Sequence, residues 1–181
     1  MARYGTWSPI VGAALIGSSI LMTPNWSPSQ SLIALGSGGF SAVVFNSGLL
    51  MAGALAMLLA AGLFEYNKGD LVGQIGCGAF LGYAFVTCAL GVVLIDLTSL
   101  QDQLIAIFFI LIPFSTAILS YSFYGKQLMK FVALGAVVVL FEVAPWFMGG
   151  FVNTQNELLS LIPFSIWQIA LGIHLYGLKE D

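Results

Sequence analysis

Six apolar runs follow one another along this chain, each long enough to cross a bilayer, and no other feature limits the possible folds so tightly. They are Trp7 to Thr23, Ser41 to Phe64, Leu71 to Ile95, Leu104 to Tyr124, Leu128 to Gly149 and Leu158 to Leu178. A closed transmembrane barrel needs many alternating segments of about ten residues, whereas these runs are continuous. The expected fold is therefore all-α: one polytopic domain over residues 1–181, a bundle of six transmembrane helices. Of the 181 residues 59% are hydrophobic and 7% charged, against about 25% charged in a soluble domain, so a separate soluble domain is not expected.

The basic residues fall on one side of this pattern. Arg3 precedes the first run, Lys68 lies between the second and third, Lys126 and Lys130 between the fourth and fifth, and Lys179 after the sixth. The positive-inside rule makes that side cytoplasmic, with both termini inside a cell membrane. The other side carries Asp96, Asp102 and Glu157. Trp26 and Trp146 fall at the outer interface, and Tyr4, Trp7, Tyr66, Tyr124 and Tyr176 at the inner one, as aromatic belts do. Arg3 and the short apolar core after it look like the start of a signal peptide, but no A-x-A-like site follows, so an uncleaved helix is expected.

The long segment from Asn25 to Phe40 contains a helix signal: Ser27 as cap, Pro28 at the first helical position and Gly36 as terminator. It reads either as a short helix that lies at the outer surface or lids the bundle, or as an ordinary outer loop. An internal echo, Leu111-Ile112-Pro113-Phe114-Ser115 against Leu161-Ile162-Pro163-Phe164-Ser165, places kinks at equivalent heights in the fourth and sixth runs.

Glu142 is the one formal charge well inside an apolar run. Counting from Lys130, it lies about 18 Å into a core roughly 30 Å thick. An ionised carboxylate there costs several kcal/mol, and no Lys or Arg at that depth pairs with it, so the neutral acid is expected. Asn46, Ser47, Ser115 and Ser165 fall at a similar level, as do carbonyls freed by Pro113 and Pro163. Together with Glu142 they form a candidate ligand or proton pocket, with Asp96, Asp102 and Glu157 as its outer mouth. The alternative is structural, with Glu142 bonding to Asn46 or to a freed carbonyl. Gly78 and Gly82 form a GxxxG pair suited to close helix packing, within the bundle or against a partner.

Several chemistries find no support. Net charge is −3, which leaves no basic footprint for nucleic acid. His174 is the only histidine, so no bis-histidine haem or three-histidine zinc site is expected, and no cofactor is implied. Cys77 and Cys88 lie about 16 Å apart along one helix and cannot bridge. No nucleophile, base and orienting group stand at a recognisable spacing, so no catalytic residue is proposed.

Ser8-Pro9-Ile10, Asn25-Trp26-Ser27, Leu35-Gly36 and Phe45-Asn46-Ser47-Gly48-Leu49 with Gly53, together with Glu157 and Trp167, resemble the six-helix prokaryotic membrane family known as domain of unknown function 998. The resemblance implies an architecture and no activity. Members commonly carry a histidine where this chain has Gln101-Asp102-Gln103, and an arginine where it has Leu158, so chemistry needing either is not implied here. These observations lead to three expectations. The first is a non-enzymatic membrane protein that serves as an accessory subunit beside other subunits or copies of itself, or that binds lipid or a small molecule. The second is a small or proton-coupled carrier using Glu142, and an enzyme comes third.

Overall fold

In a computed structural model, which describes residues 2–92, 98–151 and 153–177, the chain is helical and no strand occurs among the described residues. A short α1 (Ala2–Gly5) leads into α2 (Ser8–Met22). After the long loop come α3 (Gly39–Tyr66), α4 (Leu71–Leu90), α5 (Thr98–Gly125), α6 (Met129–Phe147) and α7 (Thr154–Gly177). Five of these, α3 to α7, are long and apolar enough to cross a membrane, while α2 has 15 residues, or about 22 Å of rise.

The helices run back and forth in sequence order, and α7 closes the bundle by packing on α6 and also on α1, α2 and α3. Lys68, Lys126 and Lys130 therefore gather at one end, here termed the lysine end, and the long loop covers the opposite, loop end. α2 packs mainly on α3 and meets α7 only thinly.

The closest helix approaches use glycines other than the expected pair. A Cβ at Gly53 of α3 would run into Cys88 and the backbone of Ala84 in α4, and one at Gly76 would meet Leu119 of α5. Gly78 is exposed with nothing within 4 Å of such a Cβ, and Gly82 would make only ordinary contact with Leu111. Gly78 thus takes no part in packing within the bundle, and Gly82 does not mark a close helix approach. The reason is phase: the buried stripe of α4 runs through Gly73, Gly76, Cys77, Phe80, Tyr83, Ala84 and Thr87, and Gly78 lies off it.

At the lysine end a polar knot ties the α3–α4 turn to the end of α5. Asp70 caps α4 by accepting the Gly73 N–H at 3.0 Å, accepts the Ser122 hydroxyl at 2.5 Å and pairs with Lys126 at 3.3 Å. Asn67, fully buried, donates to the Leu63 carbonyl at 2.8 Å and accepts from Ser122 and Lys126. Lys126 also sits 4.6 Å from the centre of the Tyr66 ring.

The Ser122 hydroxyl, then the Gly73 N–H, and the nearby Lys126 hold the Asp70 carboxyl below its ordinary value of 3.8. A depressed folded-state value means that this stabilisation is complete above 3.8 and is lost as pH falls through the lower value of the folded chain. Asp70→Ala is expected to cost about 2 kcal/mol at neutral pH. In detergent unfolding experiments the gap between variant and parent should close below pH 3.8; a gap that persists there would show that Asp70 acts other than through its charge.

Candidate functional site

The expected pocket does not assemble. α6 is held between α5 and α7 by one buried stripe, Gly135, Val138, Glu142 and Pro145. Asn46 is on α3, whose principal neighbours are α2, α4 and the 3-10 helix of the loop. Its Oδ1 lies over Gly36, 3.0 Å from where a Cβ would be. Ser47 is exposed. Ser115 is buried but turns back on its own helix, donating to the Ile112 carbonyl at 3.1 Å. Ser165 faces a cleft between α2 and α7. Similar depth did not mean a shared face.

Glu142 is fully buried, and neither carboxyl oxygen has a hydrogen-bond partner. The Ser160 hydroxyl of α7 faces it without completing a bond of its own. Lower on the same seam, the hydroxyls of Thr116 and Ser120 in α5 are buried and unpartnered, with Gly135 of α6 packed on them.

The outer mouth is also different. Asp102 is exposed, and Asp96 lies outside the described residues. Glu157, by contrast, is 1% exposed. It is consumed by the loop: it accepts the Ser31 hydroxyl and the Leu32 N–H, the latter at 2.6 Å. One turn away, Thr154 donates its N–H and its hydroxyl to the Gln30 carbonyl, at 2.9 and 2.6 Å.

This double latch lays a 3-10 helix, Leu32–Ser37, over the bundle, with Leu32 and Leu35 buried against Phe45. The loop is thus a lid. Its cap is Ser31, which accepts the Ile33 N–H, and not Ser27. Because Ser31 lies 126 residues from its partner Glu157, no local pattern could point to the pairing.

Beneath the lid, a cleft of about 360 Å³ runs between α2 and α7. Its rim carries exposed apolar groups, Ala13, Leu158, Ile162 and Ile166, so it opens sideways between the two helices. Its floor is made by buried Phe108, Phe164, Tyr83, Thr87 and Gln168. The Thr87 hydroxyl donates to the Tyr83 carbonyl at 2.8 Å, and the Ser8 hydroxyl to the Ala52 carbonyl at 2.7 Å. Gln168 differs: it is 1% exposed, it faces the Tyr83 hydroxyl, and its Oε1 has no partner.

Apart from Phe164, which belongs to the echoed motif, none of these floor residues was singled out from the sequence. Gln168 was available as an uncharged polar group inside an apolar run, beside Trp167. At the lysine end, His174 packs on Tyr66 and Phe131, with ring centres 5.9 and 4.9 Å away. Both thiols are free, Cys77 buried beside Asn67 and Cys88 partly exposed. Among the described residues, no three His, Cys, Asp or Glu side chains converge as they would around a metal ion. No protein-family model matches this chain, and no curated protein or solved structure matches it.

Proposed function

We propose that this protein is a six-span membrane protein with both termini cytoplasmic, which takes a lipophilic molecule sideways from the bilayer and does no chemistry on it. One observation carries the reading: the cleft between α2 and α7. Its volume of about 360 Å³ falls in the range of small-ligand sites, roughly 300–1,000 Å³, and such sites combine apolar walls with a few placed polar groups. α2, with α1 before it, makes the sixth span, and the lysine end faces the cytoplasm. The resemblance to the six-helix family agrees with that architecture.

Native mass spectrometry of the protein released in a mild detergent tests it. One lipophilic molecule per chain is expected. A Cβ at Gly17 meets nothing within 4 Å and Gly17 lines the cleft, so Gly17→Phe should fill the site and remove that molecule without unfolding the protein. Stoichiometric partner subunits on an empty chain would instead make this an accessory subunit.

A second reading is favoured by Glu142, whose buried, unpartnered carboxyl is the kind of group that marks ion and proton paths in membranes. In that reading the protein is a small proton-coupled carrier. Proteoliposomes that show no pH-dependent uptake would remove it.

A further inference from the structure

Gln168 and Tyr83 give the cleft a chemical preference. Of the buried polar groups that line it, Thr87 and Ser8 already donate to backbone carbonyls. Gln168 has an acceptor left over, beside the Tyr83 hydroxyl, at a position with 1% exposure. An amide oxygen without a donor in hydrocarbon costs free energy that a ligand hydroxyl can recover. None of the described lining residues is charged. A carboxylate or ammonium head would thus be desolvated without a counter-ion. Apart from Ser165, the remaining walls are apolar, and the mouth opens sideways between α2 and α7.

We infer that the cleft binds an uncharged lipophilic alcohol, its hydroxyl donating to Gln168 Oε1 and accepting from the Tyr83 hydroxyl. The 360 Å³ volume suits one chain or a compact ring body and not a two-chain phospholipid. This inference rests on the cleft being the binding site proposed above.

The test is equilibrium partitioning of radiolabelled 1-dodecanol and n-dodecane between detergent micelles with and without the full-length protein. The alcohol should bind saturably, one per chain, about fivefold to tenfold tighter than the alkane. Gln168→Leu removes the first hydrogen bond and should lose about half of the preference on a logarithmic scale, and the double variant with Tyr83→Phe should bring the alcohol down to the alkane's affinity; alkane binding should be unchanged throughout and also reports that the variants are folded. Tyr83→Phe removes only the second hydrogen bond and should lose about half of the preference on a logarithmic scale. Equal binding of alcohol and alkane by the parent would overturn the hydroxyl assignment and leave the cleft reading intact. If neither probe saturates, and Gly17→Phe alters neither, both the inference and the cleft reading fall.

Discussion

Glu157→Ala is expected to release the lid. The variant should lose about 2–4 kcal/mol of stability, because it leaves the buried Leu32 N–H and the Ser31 hydroxyl without their acceptor, and each orphaned group costs about 1–3 kcal/mol. The apolar underside of the lid, Leu32 and Leu35 on Phe45, remains, so the 3-10 helix should loosen while α3 to α7 persist. Amide hydrogen exchange reads this directly: protection at Leu32 to Ser37 should fall by two or more orders of magnitude, with little change in α4 or α5. Global unfolding can be followed with a thiol-reactive dye in a Cys88→Ala background, since Cys77 is fully buried until the bundle opens whereas Cys88 is partly exposed. Glu157→Gln keeps an acceptor and should lose roughly half as much. Unaltered protection of the lid in Glu157→Ala would mean that apolar contacts alone hold it.

The latch also shows why some of this molecule was readable in advance and some was not. The long helices were legible because twenty apolar residues in a row have few alternatives near a membrane, and because Gly69-Asp70 and Gly125 through Leu128 break the pattern at the lysine end. Boundaries moved by one to several residues: α5 begins at Thr98 and not Leu104, and α7 at Thr154 and not Leu158, since polar residues cap and start helices that apolar length alone does not count. Residues 93–97, which include Asp96, lie outside the described set.

Helix facing was not legible. In a lipid-embedded bundle both the inward and the outward faces are apolar, so hydrophobic periodicity gives no phase. Phe164 is buried while Phe114, at the equivalent place in the echoed motif, is 54% exposed. Asn46 and Glu142 share a depth but look in different directions for the same reason. The signal that does carry phase is small and polar: Gly73 and Gly76 on α4, Thr116 and Ser120 on α5, Gly135 and Glu142 on α6, and Ser160 and Gln168 on α7 all face inward. Spaced three, four, seven or eight apart, these residues could have separated the inward stripe from the lipid-facing one.

That same seam leads to the second large effect, at Glu142. Both of its oxygens are buried without a partner, a cost that the bundle bears whichever form the acid takes. Glu142→Leu replaces the carboxyl by an apolar group of similar size among Val138, Pro145 and the α7 face, and is expected to stabilise the protein by about 1–3 kcal/mol. A rise in the urea or detergent midpoint of unfolding would mean that the carboxyl is kept at the expense of stability, as groups retained for function are. The same variant, together with Glu142→Gln, should then abolish any pH-dependent uptake in proteoliposomes, while alcohol binding in the α2–α7 cleft stays as in the parent, because Glu142 does not line it. A destabilised Glu142→Leu, matched by Ser160→Ala and not additive with it, would lead the other way. It would mean that carboxyl and hydroxyl join across α6 and α7 in the membrane, and that Glu142 is a fastening between two helices and not a site for a proton or an ion.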